Sequence, residues 1–540
     1  MAVRHALLLA RTVRHLRPSQ VVHRVRLRAQ RVVVARTSSP ARRLLALAIR
    51  NHAAGWPLGF LPVDARASAQ WPGFDLLAAG RVRILGRESP TGEWVQPDAP
   101  QLWRYHLHYW DWAWPLVLAP DAGAARTVFA GLFESWRGST AFGRGDAWSP
   151  YVVSLRAWSW CGQFSLVRGT SREQAFVDLL RTHAGFLRTH LELDVGGNHL
   201  IKNLKALVGL GVFLSDNTLL DGALRRLRRE VERQVLPDGG HFERAPAYHC
   251  QVLGDLVDLA DLLSATGEDP PGWLAGARDR MRRFLGLVLL PDGTVPLLND
   301  GYPVPADVVS ALDPGPAAGE GITVLPDTGL AVLRNGPLFV LADIGDPCPD
   351  ELPAHAHADT LSFLLYDDGR PVVAELHTST YAPGRRRALE RGTRGHSTVE
   401  VDGSDSTEVW GAFRAGHRAR VKAVTYGEDG DAAVLSAEHD GYRRLPGSPV
   451  HRRTWRLSRD RLAVRDEIDG VGQHEVVVRV VLAPGVGPGD ATRFGGGWRT
   501  EPAEVAEGWD RRRECQVLTR GGPVSLPWVH EFHYDRSIAR

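Results

Sequence analysis

Pro314-Gly315-Pro316-Ala317-Ala318-Gly319-Glu320-Gly321 divides the chain, because the spacing of apolar residues changes across it. Before it, apolar residues recur at i, i+3, i+4 and i+7, the helical period. Seven segments carry that pattern: Ala124–Trp136, Val152–Leu166, Arg172–Leu191, His199–Leu214, Gly222–Leu236, Tyr248–Ala265 and Trp273–Leu289. Short breakers such as Gly196-Gly197 and Pro237-Asp238-Gly239-Gly240 separate them, and helices joined by short loops pack as antiparallel neighbours. After the divide the period is two. Thr323–Leu325, Leu330–Arg334, Leu338–Ile344, Thr360–Tyr366, Val372–Leu376 and several later runs read as short strands, with a turn at Asp368-Gly369. No fixed-period repeat is visible. The expected fold is therefore α+β and multidomain: an N-terminal helical toroid or α-solenoid at 51–315, then an antiparallel β-sandwich at 322–540.

A chain of 540 residues exceeds one core. Its 44% hydrophobic and 24% charged residues suit an ordinary globular protein. The net charge of +3 hides an asymmetry. Residues 1–50 hold twelve Arg and neither Lys, Asp nor Glu, and the remaining 490 residues carry 53 basic against 62 acidic side chains. This segment is expected to be a basic arm that lies on an anionic membrane or a partner, or else packs on the acidic body. Cys161, Cys250, Cys348 and Cys515 are too scattered for a disulfide framework and read as single thiols. No apolar run approaches the ~20 residues of a membrane span, and arginines interrupt the run Ala6–Ala10 before it reaches signal-peptide length. The expected location is cytoplasmic or membrane-peripheral, with periplasmic or extracellular export as the alternative. No nucleic-acid motif and no phosphate-cradling glycine loop is present, so neither nucleic acid nor a nucleotide or redox cofactor is expected.

Three segments put polar residues where a core would not want them. In Gly196–Lys205, Asn198, Lys202 and Lys205 share one helix face behind two glycines. That face suits a carboxylate ligand at a helix N-terminus, or is an N-cap with solvated lysines. The loop Pro237–His249 gathers His241, Glu243, Arg244, Tyr248 and His249 at a helix start. Tyr248 would act in proton transfer only with its pKa tuned by neighbours, and a well-bonded turn is the plain alternative. In His355-Ala356-His357-Ala358-Asp359 the two histidines point one way if the segment is extended. With Glu375 and His396 they make a zinc site plausible, against a pair of hydrogen-bonded histidines. Hairpin counting sets Glu375 opposite Ser362 rather than His357, so a bulge or another strand is needed.

With these segments in view, the chain resembles the heparinase II/III-like polysaccharide lyases. The resemblance rests on Asn198-His199-Leu200 with Asn203-Leu204-Lys205-Ala206, on Leu236–Arg244 with Tyr248-His249, and on His355-x-His357-x-Asp359-Thr360-Leu361-Ser362-Phe363. It continues at Tyr381, at His396–Gly403, at Trp410–Arg414 and in the aromatic stretch Leu102–Tyr109, covering roughly residues 100–480. It implies an N-terminal (α/α) helical toroid followed by a C-terminal antiparallel β-sandwich, a cleft between them, and β-elimination on a uronic-acid-containing acidic polysaccharide. It implies that Asn198, helped by His199, neutralises the substrate carboxylate. Tyr248 becomes the acid, and a possible base, while His355 is the other proton-transfer group. Lys202, His241, Glu243 and Arg244 are expected to bind substrate, and His357, Glu375 and His396 to hold a structural zinc. Two departures concern the metal: Glu375 stands where Asp is more usual, and Ala356 where Gly is common. The absent secretion signal is a third.

Residue types alone leave other functions open. A uronosyl C5-epimerase shares the proton abstraction, and a non-catalytic polysaccharide-binding protein of an exopolysaccharide synthesis system would suit the basic arm. A glycoside hydrolase needs two carboxylates about 5–10 Å apart, and only Glu243 stands out. Trp103, Trp110, Trp112 and Trp114 are expected either to stack on sugars or to pack the core.

Overall fold

In the computed structural model, which describes residues 2–50, 54–67, 71 and 73–538, the change of period at 314–321 is a change from helix to strand. Three arm helices come first: α1 (Ala2–Val13), α2 (Pro18–Arg36) and α3 (Ser38–Leu47). The body helices are α4 (Ala122–Ser139), α5 (Pro150–Gly162), α6 (Glu173–Thr189), α7 (Gly197–Phe213), α8 (Asn217–Gln234), α9 (Pro246–Ala265) and α10 (Gly272–Val288). Local chemistry sets their starts. Asp121 and Asp216 accept from the backbone amides of Ala124 and Leu219 at the N-termini of α4 and α8, and Pro150 and Pro246 open α5 and α9. α7 is buried on nearly every side, its polar face of Asn198, Lys202 and Lys205 included. It packs against α5, α6, α8 and α9 and is the hub of the helical half.

The strands after Gly321 are β1 (Gly321–Leu325), β2 (Leu330–Asn335), β3 (Leu338–Asp343), β4 (Phe363–Asp367), β5 (Arg370–Ala374), β6 (Val399–Val401), β7 (Val421–Asp429), β8 (Ala432–His439), β9 (Val450–Leu457), β10 (Arg461–Leu482), β11 (Arg499–Gly508) and β12 (Arg511–Asp535). They form one hydrogen-bonded order rather than two separate sheets. It runs β7-β8-β9-β10-β5-β4-β3-β2-β1, with β6 and β12 also on β10 and β11 on β12. The order curls until β8 and β9 pack against β1 and β2, enclosing one core that includes Leu333, Val340, Leu365, Leu435, Trp455 and Val478. β10 spans what reads in sequence as two strands, with an irregularity between Ile468 and Gly472, and its long partner β12 lies in the Gly- and Arg-rich tail where sequence pattern is weakest. The β4–β5 hairpin turns at Asp368 and Gly369, both with positive φ, as a tight hairpin turn requires. A bulge between Leu365 and Tyr366 shifts its register by one residue from simple counting.

A third apolar cluster joins the halves. Phe284, Val288 and Leu298 of the helical half pack with Val332, Leu341 and Tyr366 of the sheet. Polar clamps flank it: the Asp238 carboxylate accepts from Thr328 N at 2.7 Å and from its hydroxyl at 2.8 Å. The arm adds a strap. Arg11 pairs with Glu408 and Arg17 with Glu351 in the sheet half, Arg24 pairs with Asp194 in the helical half, and α3 packs on α6. The Gln20 amide donates to the carbonyls of Asp194 and of Glu351, both at 3.2 Å, and so bridges the two halves directly. Of the two expectations for the arm, packing on the acidic body is met on this inner side.

Candidate active site

The site is built where the start of α7, the loop before α9 and the segments around Asp300 and His355 meet. Gly196 and Gly197 both take positive φ, turning the chain sharply into α7. A side chain at Gly197 would overlap the Glu243 carboxylate and Leu352. Gly197→Ala is therefore expected to cost roughly 2–4 kcal/mol from left-handed strain and overpacking together. Urea denaturation measures this, and a loss under about 1 kcal/mol would mean that Glu243 moves aside freely.

That close approach lets Glu243 Oε1 accept from the backbone amide of Asn198 at 2.7 Å. The helix N-terminus, expected to receive the substrate carboxylate, is thus already occupied by a protein carboxylate. Glu243 also faces the other way, its Oε2 lying 3.3 Å from His355 Nε2. On the far side of the ring, His355 Nδ1 donates to Asp300 Oδ2 at 3.0 Å. The ring lies against Tyr248, centroids 4.0 Å apart. Tyr248 leaves α9 one turn before Gln251, whose Oε1 accepts from Asn198 Nδ2 at 2.9 Å. Asn198, Glu243, Tyr248 and His355, scattered over the sequence, thus belong to one connected cluster. His199 adjoins it, its ring tilted against that of Tyr151 with centroids 4.3 Å apart, and its Nδ1 3.2 Å from Glu192. Burial lowers the His199 pKa, but Glu192 and Glu243 outweigh it and the net shift is upward. The cation this favours suits a carboxylate ligand.

The Tyr248 hydroxyl shares a 2.7 Å hydrogen bond with that of Tyr381. Burial first, then Tyr381, Tyr302 and Asp300, push the Tyr248 pKa well above the usual phenol value. It is a neutral phenol at physiological pH, able to donate a proton but poorly suited to begin as a base.

Asp300 organises the rest and escaped the sequence reading. It is fully buried. It takes a two-pronged ion pair from Arg387, bonds from His355 and His357, and a 3.3 Å bond from Thr378. Burial would raise its pKa, but Arg387 and the two histidines hold it well below the carboxylate range. Tyr302, Tyr381 and Trp509 complete an aromatic wall, with Tyr381 and Trp509 rings 4.6 Å apart. The only signal for Asp300 was a polar Asn299-Asp300-Gly301 turn, one of many such turns. Trp509 lies in the unpatterned tail.

Three expected substrate ligands are turned to structural work. Lys202 is buried against Asp255 at 2.7 Å, one turn into α7, and Lys205 pairs with Asp255 and Asp258. Neither forms the solvated or ligand-binding face that periodicity suggested, because α9 supplies the countercharges. Arg244, at φ +59°, donates to the carbonyls of Asp346 and Asp327 and so ties the two halves together. His241 is buried and bonded to Gln234 at 3.1 Å, with its pKa driven well down by burial, then by His249 and His355. Glu243 acts through Asn198 and His355. The four tryptophans at 103, 110, 112 and 114 are each at most 3% exposed and pack the core.

The residues expected to hold zinc regroup. Ligand atoms of Asp359, Glu375 and His396 lie within 4.8 Å of one another. His357 instead directs Nε2 to Asp300 Oδ1 at 2.9 Å, its ring 5.3 Å from that of His396. A carboxylate facing Nε2 puts the hydrogen there and leaves a lone pair on Nδ1. His357 Nδ1, Asp359 Oδ1, Glu375 Oε1 and His396 Nε2 are all buried without hydrogen-bond partners. The clustered Asp359, Glu375 and His396, with His357 Nδ1 as a fourth unpartnered donor, fit a zinc ion by donor chemistry.

A helical half and a curled antiparallel sheet meet at this tyrosine–histidine–asparagine cluster, and comparison with known proteins shows which family combines them. Residues 139–313 match the heparinase II/III N-terminus and residues 317–533 the heparinase II/III-like C-terminal domain. The chain belongs to the heparinase II/III-like family. It is 28% identical over 530 residues to the FtsZ-localized protein C of Caulobacter vibrioides, covering 93% of this chain and 88% of that protein. A heparin-sulfate lyase of Bacteroides stercoris is 28% identical over 166 residues, 28% of this chain and 24% of that one. Among solved structures, heparinase III aligns with a TM-score of 0.70 at 16% identity, over 91% of this chain and 88% of that chain.

Proposed function

We propose that the protein is a polysaccharide lyase that cleaves a uronic-acid-containing acidic polymer by β-elimination, in a cleft between a helical toroid and the curled β-domain. One observation carries this reading: Tyr248, His355 and Asn198 converge through Glu243 and Gln251. The hydrogen on the carbon bearing the uronate carboxylate becomes removable only when that carboxylate's charge is offset. Asn198 and the cationic His199 supply hydrogen-bond donors there and stabilise the enolate-like state. His355 takes the proton, and the carboxylates of Glu243 and Asp300 on either side of its ring stabilise the imidazolium that forms. Tyr248, kept protonated by burial, gives its proton to the departing glycosidic oxygen.

Zinc would be held by His357, Asp359, Glu375 and His396, where it would supply fixed charge that orders the segment carrying His355. One zinc per chain is expected by elemental analysis, with Glu375→Gln and His396→Ala losing it. A hundredfold excess over the dissociation constant should stabilise the wild type by about 2.7 kcal/mol. No stabilisation and no retained metal would leave the four residues a hydrogen-bonding cluster only.

The likeness to the FtsZ-localized protein C favours a second reading, a non-catalytic member of the family. The deciding experiment follows the ultraviolet absorbance of the unsaturated uronate product over a panel of acidic polysaccharides. A rise supports the lyase. No rise, with deuterium entering the uronate C5 from solvent, supports an epimerase. Neither signal supports the non-catalytic reading.

A further inference from the structure

The outer side of the arm is an exposed apolar surface that the candidate site does not use. In α2, the inward stripe is Gln20, Leu27 and Val34. At 100° per residue, Val21, Val22, Val25, Val32 and Val33 fall on the opposite side. They face outward: Val22 is 64% exposed, Val25 63% and Val33 58%. A helix that packs on a body and turns its valines to water is amphipathic in the wrong sense for a surface helix. Its neighbour α3 repeats the pattern, with Leu44 68% and Leu47 76% exposed. Arg28 borders the valine stripe and Arg36 lies at its end. Among the described residues these two make no salt bridge, and the same holds for Arg42 and Arg43 of α3, whereas Arg11, Arg17 and Arg24 on the inner side are paired.

We propose that the outward face of α2 and α3 docks on an anionic lipid bilayer, its valines and leucines in the interfacial layer and its arginines among the phosphates. The 19 residues of α2 give a platform about 28 Å long. The charge argues for this occupant. Residues 1–50 carry twelve arginines and no carboxylate, so an anionic surface is complementary along the whole face. A second copy of the chain is not, because two such faces would set arginine against arginine. Among the described residues no helix is long and apolar enough to cross a membrane, so the attachment lies in the interface. Since Gln20 and Arg17 on the reverse of the same helix grip both halves of the body, docking would hold the whole molecule against the bilayer.

The test is co-sedimentation of the full-length protein with phosphatidylcholine vesicles, with and without phosphatidylglycerol. Binding is expected only to the phosphatidylglycerol vesicles and should weaken as salt rises. Arg28→Glu/Arg36→Glu should lower the partition coefficient on the order of thirtyfold or more. Val25→Asp/Val32→Asp should abolish binding at an unchanged thermal midpoint, since both side chains are at least half exposed. Failure to bind phosphatidylglycerol vesicles, equal binding to both kinds, or binding indifferent to both pairs of substitutions would overturn the proposal. So would concentration-dependent self-association of the wild type that the valine substitutions remove, which would identify the face as a protein interface.

Discussion

Tyr248→Phe is expected to lower kcat on a cleaved polysaccharide by 10²–10⁴-fold while leaving KM nearly unchanged. The substitution keeps the ring that packs 4.0 Å from His355 and removes only the proton donor and its bond to Tyr381. Loss of that bond should cost folding stability about 1 kcal/mol, too little to mimic the kinetic effect. A drop within threefold of wild type would show that another group protonates the leaving oxygen. The pH dependence has a definite sign. Because the Tyr248 pKa is raised, the acid form persists through neutrality, and an alkaline fall in activity below about pH 10 must come from another group. The stability linked to this tyrosine is present below the ordinary phenol value and is lost as pH rises through the elevated one.

Asp300→Ala is expected to destabilise the protein by about 3–5 kcal/mol. It strands the fully buried Arg387 guanidinium without its countercharge and removes an acceptor from His355, His357 and Thr378 at once. Chemical denaturation should show the midpoint falling with little change in slope. A loss below about 1 kcal/mol would mean that Arg387 is compensated by the carbonyl of Ala412, to which it also donates. Asp300→Asn keeps the shape and part of the hydrogen bonding, so it should fall between the two. Its activity should drop further than its stability, because His355 Nδ1 would lose the charged acceptor that holds its ring in place. Since the Asp300 pKa is depressed, the stability it contributes is present above the ordinary carboxylate range and disappears as pH falls through the lowered value.

What could be read along the chain was whatever depends on near neighbours. The period of apolar residues, the proline and glycine breaks and the Asp-Gly turn located seven helices and the first five strands of the sheet to within a few residues, because each is decided within a turn or a hairpin. The cluster motifs around Asn198, Tyr248 and His355 were legible for the same reason: unusual polar residues beside glycines or at an element's start. The partners were not. Lys202 looked free until α9 brought Asp255 against it. The start of α7 looked open until Glu243 occupied it. His357 looked like an equal member of a set with Glu375 and His396, whereas Asp300 takes its Nε2, leaving only Nδ1 for a metal, and Asp359 joins the other two. Arg387 and Asp300 are 87 positions apart, and nothing local in either marks the pair. Sequence pattern by itself determined where the chain turns helical or extended and which polar residues a core would reject. Only the tertiary structure decided which charges neutralise one another, because burial and countercharge belong to neighbours in space that a period along the chain does not encode.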